Sequence, residues 1–115
     1  MLTLVVIRSK DIERLASFYT ILGLTFTRHR HSSGPEHMSS TVGPTVFEIY
    51  PVTAANENTS FTRLGFTVPS LTETLTKLRE INTTVLAEPS DTPFGSRAVV
   101  QDFEGHKIEL YEKPE

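Results

Sequence analysis

The side chains of this sequence that can do chemistry are few in kind. Glu48 lies in "VFEIY" and Glu109 in "KIELY", two strings of one pattern. Side chains alternate along a strand, so each glutamate shares a face with a tyrosine, Tyr50 or Tyr111, while Phe47 and Ile49, or Ile108 and Leu110, take the opposite face. A carboxylate so placed can act as a general base or bind a cation, and the tyrosine can stack on a planar ligand. In "FTRLGFTV" the same parity puts Phe61, Arg63, Gly65 and Thr67 on one side and Leu64, Phe66 and Val68 on the other. His29, His31 and His37 gather around the turn signal "SSGPE", and with Glu48 they are a conceivable alternative metal site, although the spacing matches no familiar ligand pattern. His106 reads as the cap of a turn. The absence of cysteine excludes disulfides, thiolate metal sites and cysteine nucleophiles together. No glycine-rich phosphate loop, nucleophile elbow or zinc-protease helix motif occurs.

Two helices and a set of short strands must position these groups. Ile12, Leu15, Ala16 and Tyr19 fall on one helical face, predicting a helix over about 11–22 that Gly23 terminates. Leu71, Leu75, Leu78 and Ile81 form a second stripe over about 70–81, opened by Ser70 and Glu73 in a capping box. Threonine beside valine, isoleucine or phenylalanine favours strands in the remainder. The expected strands are 2–7, 24–30, 37–42, 45–50, 61–68, 83–87, 97–101 and 106–111, the first of them placing Leu2, Leu4 and Val6 on the side of Arg63. The stretch "AEPSDTPFGSR", with Pro89, Pro93 and Gly95, reads as an irregular connection, either a mobile flap over a ligand or a plain loop.

The order strand, helix, three strands then occurs twice. "LVVIRSKDIERL" aligns with "RLGFTVPSLTETL", and "TVFEIY" with "HKIELY", at nearly one offset. This predicts one α+β domain over 1–115 made of two tandem βαβββ modules, about 1–53 and 61–113, joined by a polar linker at 54–60.

The 115 residues are 37% hydrophobic and 22% charged, an ordinary composition for one globular domain. A net charge of -3 provides no basic field for nucleic acid. The longest uninterrupted apolar run, Leu4 to Ile7, is far below the roughly 18 to 20 residues of a membrane span. With no leader segment and no cysteine, a cytoplasmic location is expected.

The duplicated unit resembles the vicinal oxygen chelate superfamily, which includes glyoxalases, bleomycin resistance proteins and extradiol dioxygenases. The likeness is carried by "LVVIRSKDIERLASFYTILGL", "FEIYP" and "PFGSRAVVQDFEGHKIELYE". It implies curved, cup-like mixed sheets with helices outside and a ligand inside, commonly across a homodimer. Phe103 departs from the family's frequent Asp-Pro-x-Gly turn. In the metal-dependent branches the first strand of each module supplies a histidine or glutamine and the last a glutamate. Here those positions fall on Leu4, Glu48, Arg63 and Glu109. Leucine has no donor atom and guanidinium no lone pair, so no metal or other cofactor is expected there. Arg63 is expected instead to stand for the metal's charge and to pair with one or both carboxylates.

The reading that follows is metal-independent binding of a small organic ligand, as in bleomycin-resistance-like proteins, with Arg63, Tyr50, Tyr111 and His37 as ligand-binding residues. The competing readings are a glyoxalase-type lyase or isomerase, or a dioxygenase-related enzyme, with Glu48 or Glu109 as base and Arg63 or a divalent metal as electrophile. A non-catalytic dimeric accessory protein is the third. The expected partners are a small molecule and a second copy of the chain, with neither nucleic acid nor membrane.

Overall fold

A computed structural model describes residues 1–114 and divides into two compact units, Met1–Thr59 and Ser60–Glu115. Both are α+β, each with one helix and one four-stranded mixed sheet. The first contains β1 (Leu4–Ser9), α1 (Ile12–Ile21), β2 (Thr27–His29), β3 (His37–Val42) and β4 (Thr45–Pro51), in the sheet order β1-β4-β3-β2. The first and last strands pair in parallel and the others antiparallel. This is the expected βαβββ unit.

Local chemistry fixes the helix. The Asp11 side chain accepts from the Arg14 N–H at 3.1 Å, capping the first turn. Gly23, at a φ of 110°, turns the chain where an ordinary side chain would be strained. Leu15, Ala16, Phe18 and Tyr19 are buried, and the Tyr19 and Phe47 rings meet at 5.0 Å. Phe47, Ile49 and Ile7 thus face the helix. Glu48 and Tyr50 take the helix-free face, as alternation requires.

The second unit contains β5 (Arg63–Val68), α2 (Leu71–Glu80), β6 (Thr84–Thr92), β7 (Gly95–Gln101) and β8 (Lys107–Glu112), in the equivalent order β5-β8-β7-β6. Ser70 accepts from the Glu73 N–H at 3.2 Å. The Leu71 amide is taken by the Glu112 carboxylate at 3.0 Å, so a strand side chain helps to cap this helix. Leu71, Leu75, Leu78, Val68, Ile108 and Leu110 are buried and form the core.

Two regions differ from the sequence expectation. "AEPSDTPFGSR" is neither flap nor irregular loop: β6 runs on to Thr92 and returns into β7 through Pro93 and Phe94. The Thr92 hydroxyl donates to the Gly95 carbonyl at 2.7 Å and accepts from the Phe94 N–H at 3.1 Å, closing the hairpin. Pro89 is tolerated because β6 is an edge strand and its register shifts between Ala87 and Ser90. The polar segment before the second unit is also ordered locally. The Glu57 carboxylate accepts from the Thr53 N–H and hydroxyl, both at 2.6 Å, and from the Ala54 N–H at 3.0 Å. Those bonds, the Thr53 hydroxyl first, hold the Glu57 carboxyl below its ordinary pKa.

Candidate functional site

On the helix-free face of the second unit, Glu109 is the hub of a polar cluster. Its Oε2 accepts from Arg63 Nε at 2.5 Å, and its Oε1 accepts from Arg97 Nε at 2.9 Å and from the Tyr111 hydroxyl at 3.0 Å. The positions follow from register. Gly65 stands opposite Glu109, which puts Arg63 beside it on β5, and Arg97 stands opposite Tyr111 on β7. Hydrogen bonds from Arg63 first, then from Arg97 and Tyr111, lower the Glu109 pKa from 4.5 to about 2. A carboxylate held that firmly in its ionised form is a feeble proton acceptor near neutral pH. The cluster is half open to water, with the Arg63 side chain 47% exposed and that of Glu109 22%.

The expected pairing of Arg63 with Glu109 is present, and Arg97 joins it. Sequence parity does not place Arg97, because "RAVV" carries three consecutive apolar residues, which hide the alternation. Its signal was the antiparallel register that sets it against Tyr111.

In the first unit, Glu48 has a different neighbour. His37 Nε2 lies 3.3 Å from Glu48 Oε2, and the His37 ring, 1% exposed, stacks on Tyr50 at 4.1 Å with 8° between planes. Arg8 covers the Tyr50 ring at 5.3 Å. His37 Nδ1 faces the Pro35 carbonyl at 3.3 Å, whereas Nε2 is buried with no hydrogen-bond partner. Each carboxylate therefore lies beside a nitrogen of its own unit, hydrogen-bonded at Glu109 and in contact without a hydrogen bond at Glu48.

The three histidines do come together. The His31 and His37 rings are 5.1 Å apart, those of His29 and His37 6.0 Å, and those of His29 and His31 6.2 Å. Two of the three pairs stack, so the in-plane lone pairs run side by side and do not converge. Among the described residues no group of three or more His, Asp or Glu side chains is arranged to hold a metal ion. His106 is apart from this cluster and fully buried. Its Nδ1 lies 2.8 Å from Asp102, whose carboxylate also accepts from the Glu104 and His106 amides. It seals a turn, as expected, and the turn forms with Phe103 in the place where relatives favour proline.

A divalent ion does not fit the four positions that hold one in metal-dependent relatives. Leu4 offers no donor and Arg63 no lone pair, and both Glu109 oxygens already accept hydrogen bonds.

Paired βαβββ units, each with a glutamate on its last strand facing away from the helix, define the class. The chain belongs to the Glyoxalase/Bleomycin resistance protein/Dioxygenase superfamily, whose family model matches residues 2–110. Among solved structures it is similar to the oxidase ChaP-H2, with a TM-score of 0.77 and 21% identity over 99% of this chain and 94% of that one. It is also similar to TnmS3, an antibiotic binding protein from Streptomyces sp. CB03234, with a TM-score of 0.74 and 18% identity over 99% and 96%. A hypothetical protein, SA1046 from S. aureus, has a TM-score of 0.73 and 18% identity over 98% and 96%. No curated protein matches the chain. No helix among the described residues is long and apolar enough to cross a membrane.

Proposed function

We propose that this protein binds a small organic molecule on the helix-free faces of its sheets without using a metal ion at Leu4, Glu48, Arg63 and Glu109. The observation that carries the reading is the Glu109 cluster. Arg63 and Arg97 supply fixed positive charge where a metal-dependent relative would place an ion. Guanidinium is permanently charged and planar, so it suits recognition of an oxygen-rich ligand. The fold it shares with an antibiotic binding protein agrees with this use. Tyr50 and His37, already stacked, and Tyr111 beside Glu109 give each face a flat aromatic surface.

A catalytic reading is favoured at one residue only. Glu48 meets a histidine nitrogen that makes no hydrogen bond, so it is the better base of the two carboxylates, and Glu109 serves to position its arginines. In that reading the protein is a lyase or isomerase with Glu48 as its base.

The working form is a cytoplasmic homodimer. Leu2 is 64% exposed and Leu4 51%, apolar residues of the first unit that a second copy would cover. Native mass spectrometry of the protein as isolated, with elemental analysis, tests these statements together. The expected result is a dimer that retains or takes up organic compounds and carries no stoichiometric metal at the four positions. A metal bound there, one per chain, would overturn the metal-independent reading, and a concentration-independent monomer the dimer.

A further inference from the structure

A cavity of about 480 Å³ opens in the second unit beside the Glu109 cluster, and Phe61, Arg63, Gln101, Glu104 and Lys107 are on its wall. Arg63 belongs to both the cavity and the cluster. It bonds Glu109 through Nε, so its two terminal nitrogens are not used on that carboxylate. The charge balance is unequal. Two guanidiniums share the single Glu109 carboxylate, while Lys107 and Glu104 contribute one formal charge of each sign to the cavity wall. One positive charge is left over, and of the two guanidiniums only Arg63 reaches the cavity. The Phe61 ring, almost fully exposed at the same wall, offers a flat apolar surface.

We infer that this cavity takes an aromatic acid, its oxyanion on Arg63 and its ring against Phe61, and that Arg97 keeps Arg63 available by neutralising Glu109 from outside the cavity. The inference rests on the small-molecule reading above and names the class of ligand. Carboxylate and phosphonate share the required chemistry, a compact anion with paired oxygens. Arg97 is a positioning residue here. Without it, Glu109 would neutralise Arg63 and leave the cavity no net attraction for an anion.

The test is an NMR titration of the full chain with benzoate, phenylphosphonate and the neutral benzamide, followed at the arginine Nε–H and phenylalanine signals. Either or both acids should move the Arg63 and Phe61 signals, the one that does naming the oxyanion, and should bind about tenfold more tightly than benzamide, the scale of one charge-assisted hydrogen bond. Arg97→Gln should weaken the acids about tenfold and leave benzamide unchanged. Adding Glu109→Gln should restore acid binding, because the competing carboxylate is gone. That rescue separates a charge effect from damage to the fold. Equal binding of both acids and benzamide, acid binding insensitive to Arg97→Gln, or no binding of any of the three would each overturn the inference. The broader small-molecule reading falls separately, only if a chemically diverse library yields no binder.

Discussion

The two units place the same strands in the same register yet finish them with different chemistry. Val6 stands opposite Glu48 as Gly65 stands opposite Glu109, and Leu4 opposite Val46 as Arg63 opposite Lys107. On the neighbouring strand, His37 lies against Tyr50 where Arg97 lies against Tyr111. One face thus carries Leu4, His37, Glu48 and Tyr50, and the other Arg63, Arg97, Glu109 and Tyr111. Changing two positions, leucine for arginine and histidine for arginine, turns a buried aromatic stack into a half-exposed cationic cluster. The β-strand frame fixes which positions meet, and residue identity decides whether the glutamate there faces a buried imidazole or two guanidiniums. The closing turns also differ. Gly43 and Pro44 join β3 to β4, whereas β7 reaches β8 through the buried Asp102 and His106 pair.

That last difference should give the largest effect. His106→Ala removes one partner of a fully buried pair, and the second unit should lose about 3 to 5 kcal/mol in urea unfolding. No equivalent residue in the first unit should be so costly within a turn.

Next, His37→Ala removes a buried ring stacked on Tyr50 and should cost about 2 to 3 kcal/mol, the scale of a core truncation. Arg97→Ala, at the equivalent place but partly exposed, should cost clearly less. Equal losses measured by thermal unfolding would mean that the two faces are alike in burial after all.

Glu109→Gln should cost about 1 to 2 kcal/mol near neutral pH through weakened charge-assisted hydrogen bonds. Its pH signature is sharper. The folded-state pKa of about 2 lies below the ordinary 4.5, so the unfolded chain takes up the proton first. The stability due to Glu109 is complete above about pH 4.5 and drains away as pH falls toward 2. The glutamine variant should show a shallower loss over that window, and a parallel pair of stability curves would contradict the cluster.

Arg63→Leu should have the smallest effect, below ~1 kcal/mol, because a half-exposed ion pair contributes little and Arg97 and Tyr111 remain on Glu109. A loss larger than that of Glu109→Gln would show that Arg63 does more than pair with it.

Much of this frame is legible in the residues. The stripes through Leu15 and Tyr19 and through Leu71, Leu75 and Leu78 mark buried helix faces, since each helix has one wet side. The parity of "VFEIY" and "KIELY" separates core from helix-free face for the same reason. Where both sides of an element are wet, or both apolar, the pattern disappears. Glu88 to Asp91 carry no alternation, because that part of β6 is an exposed edge whose hydrogen bonds and not its burial make it a strand. Ala98, Val99 and Val100 are all buried and mask the face on which Arg97 lies. Glu57 reads in the sequence as part of a plain linker, because a carboxylate that folds back on nearby amides leaves no periodic trace.

The parallel pairing of first and last strands also has a consequence for how the chain comes to be folded. In each unit β1 or β5 has no neighbour until β4 or β8 exists, so neither sheet closes locally as a run of hairpins. Loop closure across nearly a whole unit must precede the reward of the central ladder, which slows each unit compared with a simple meander of equal size. During synthesis the first sheet can be completed once Pro51 is free of the ribosome. Arg63 must wait for Glu109 to arrive with β8, and until then its strand edge and its charge are both without their partners in the sheet.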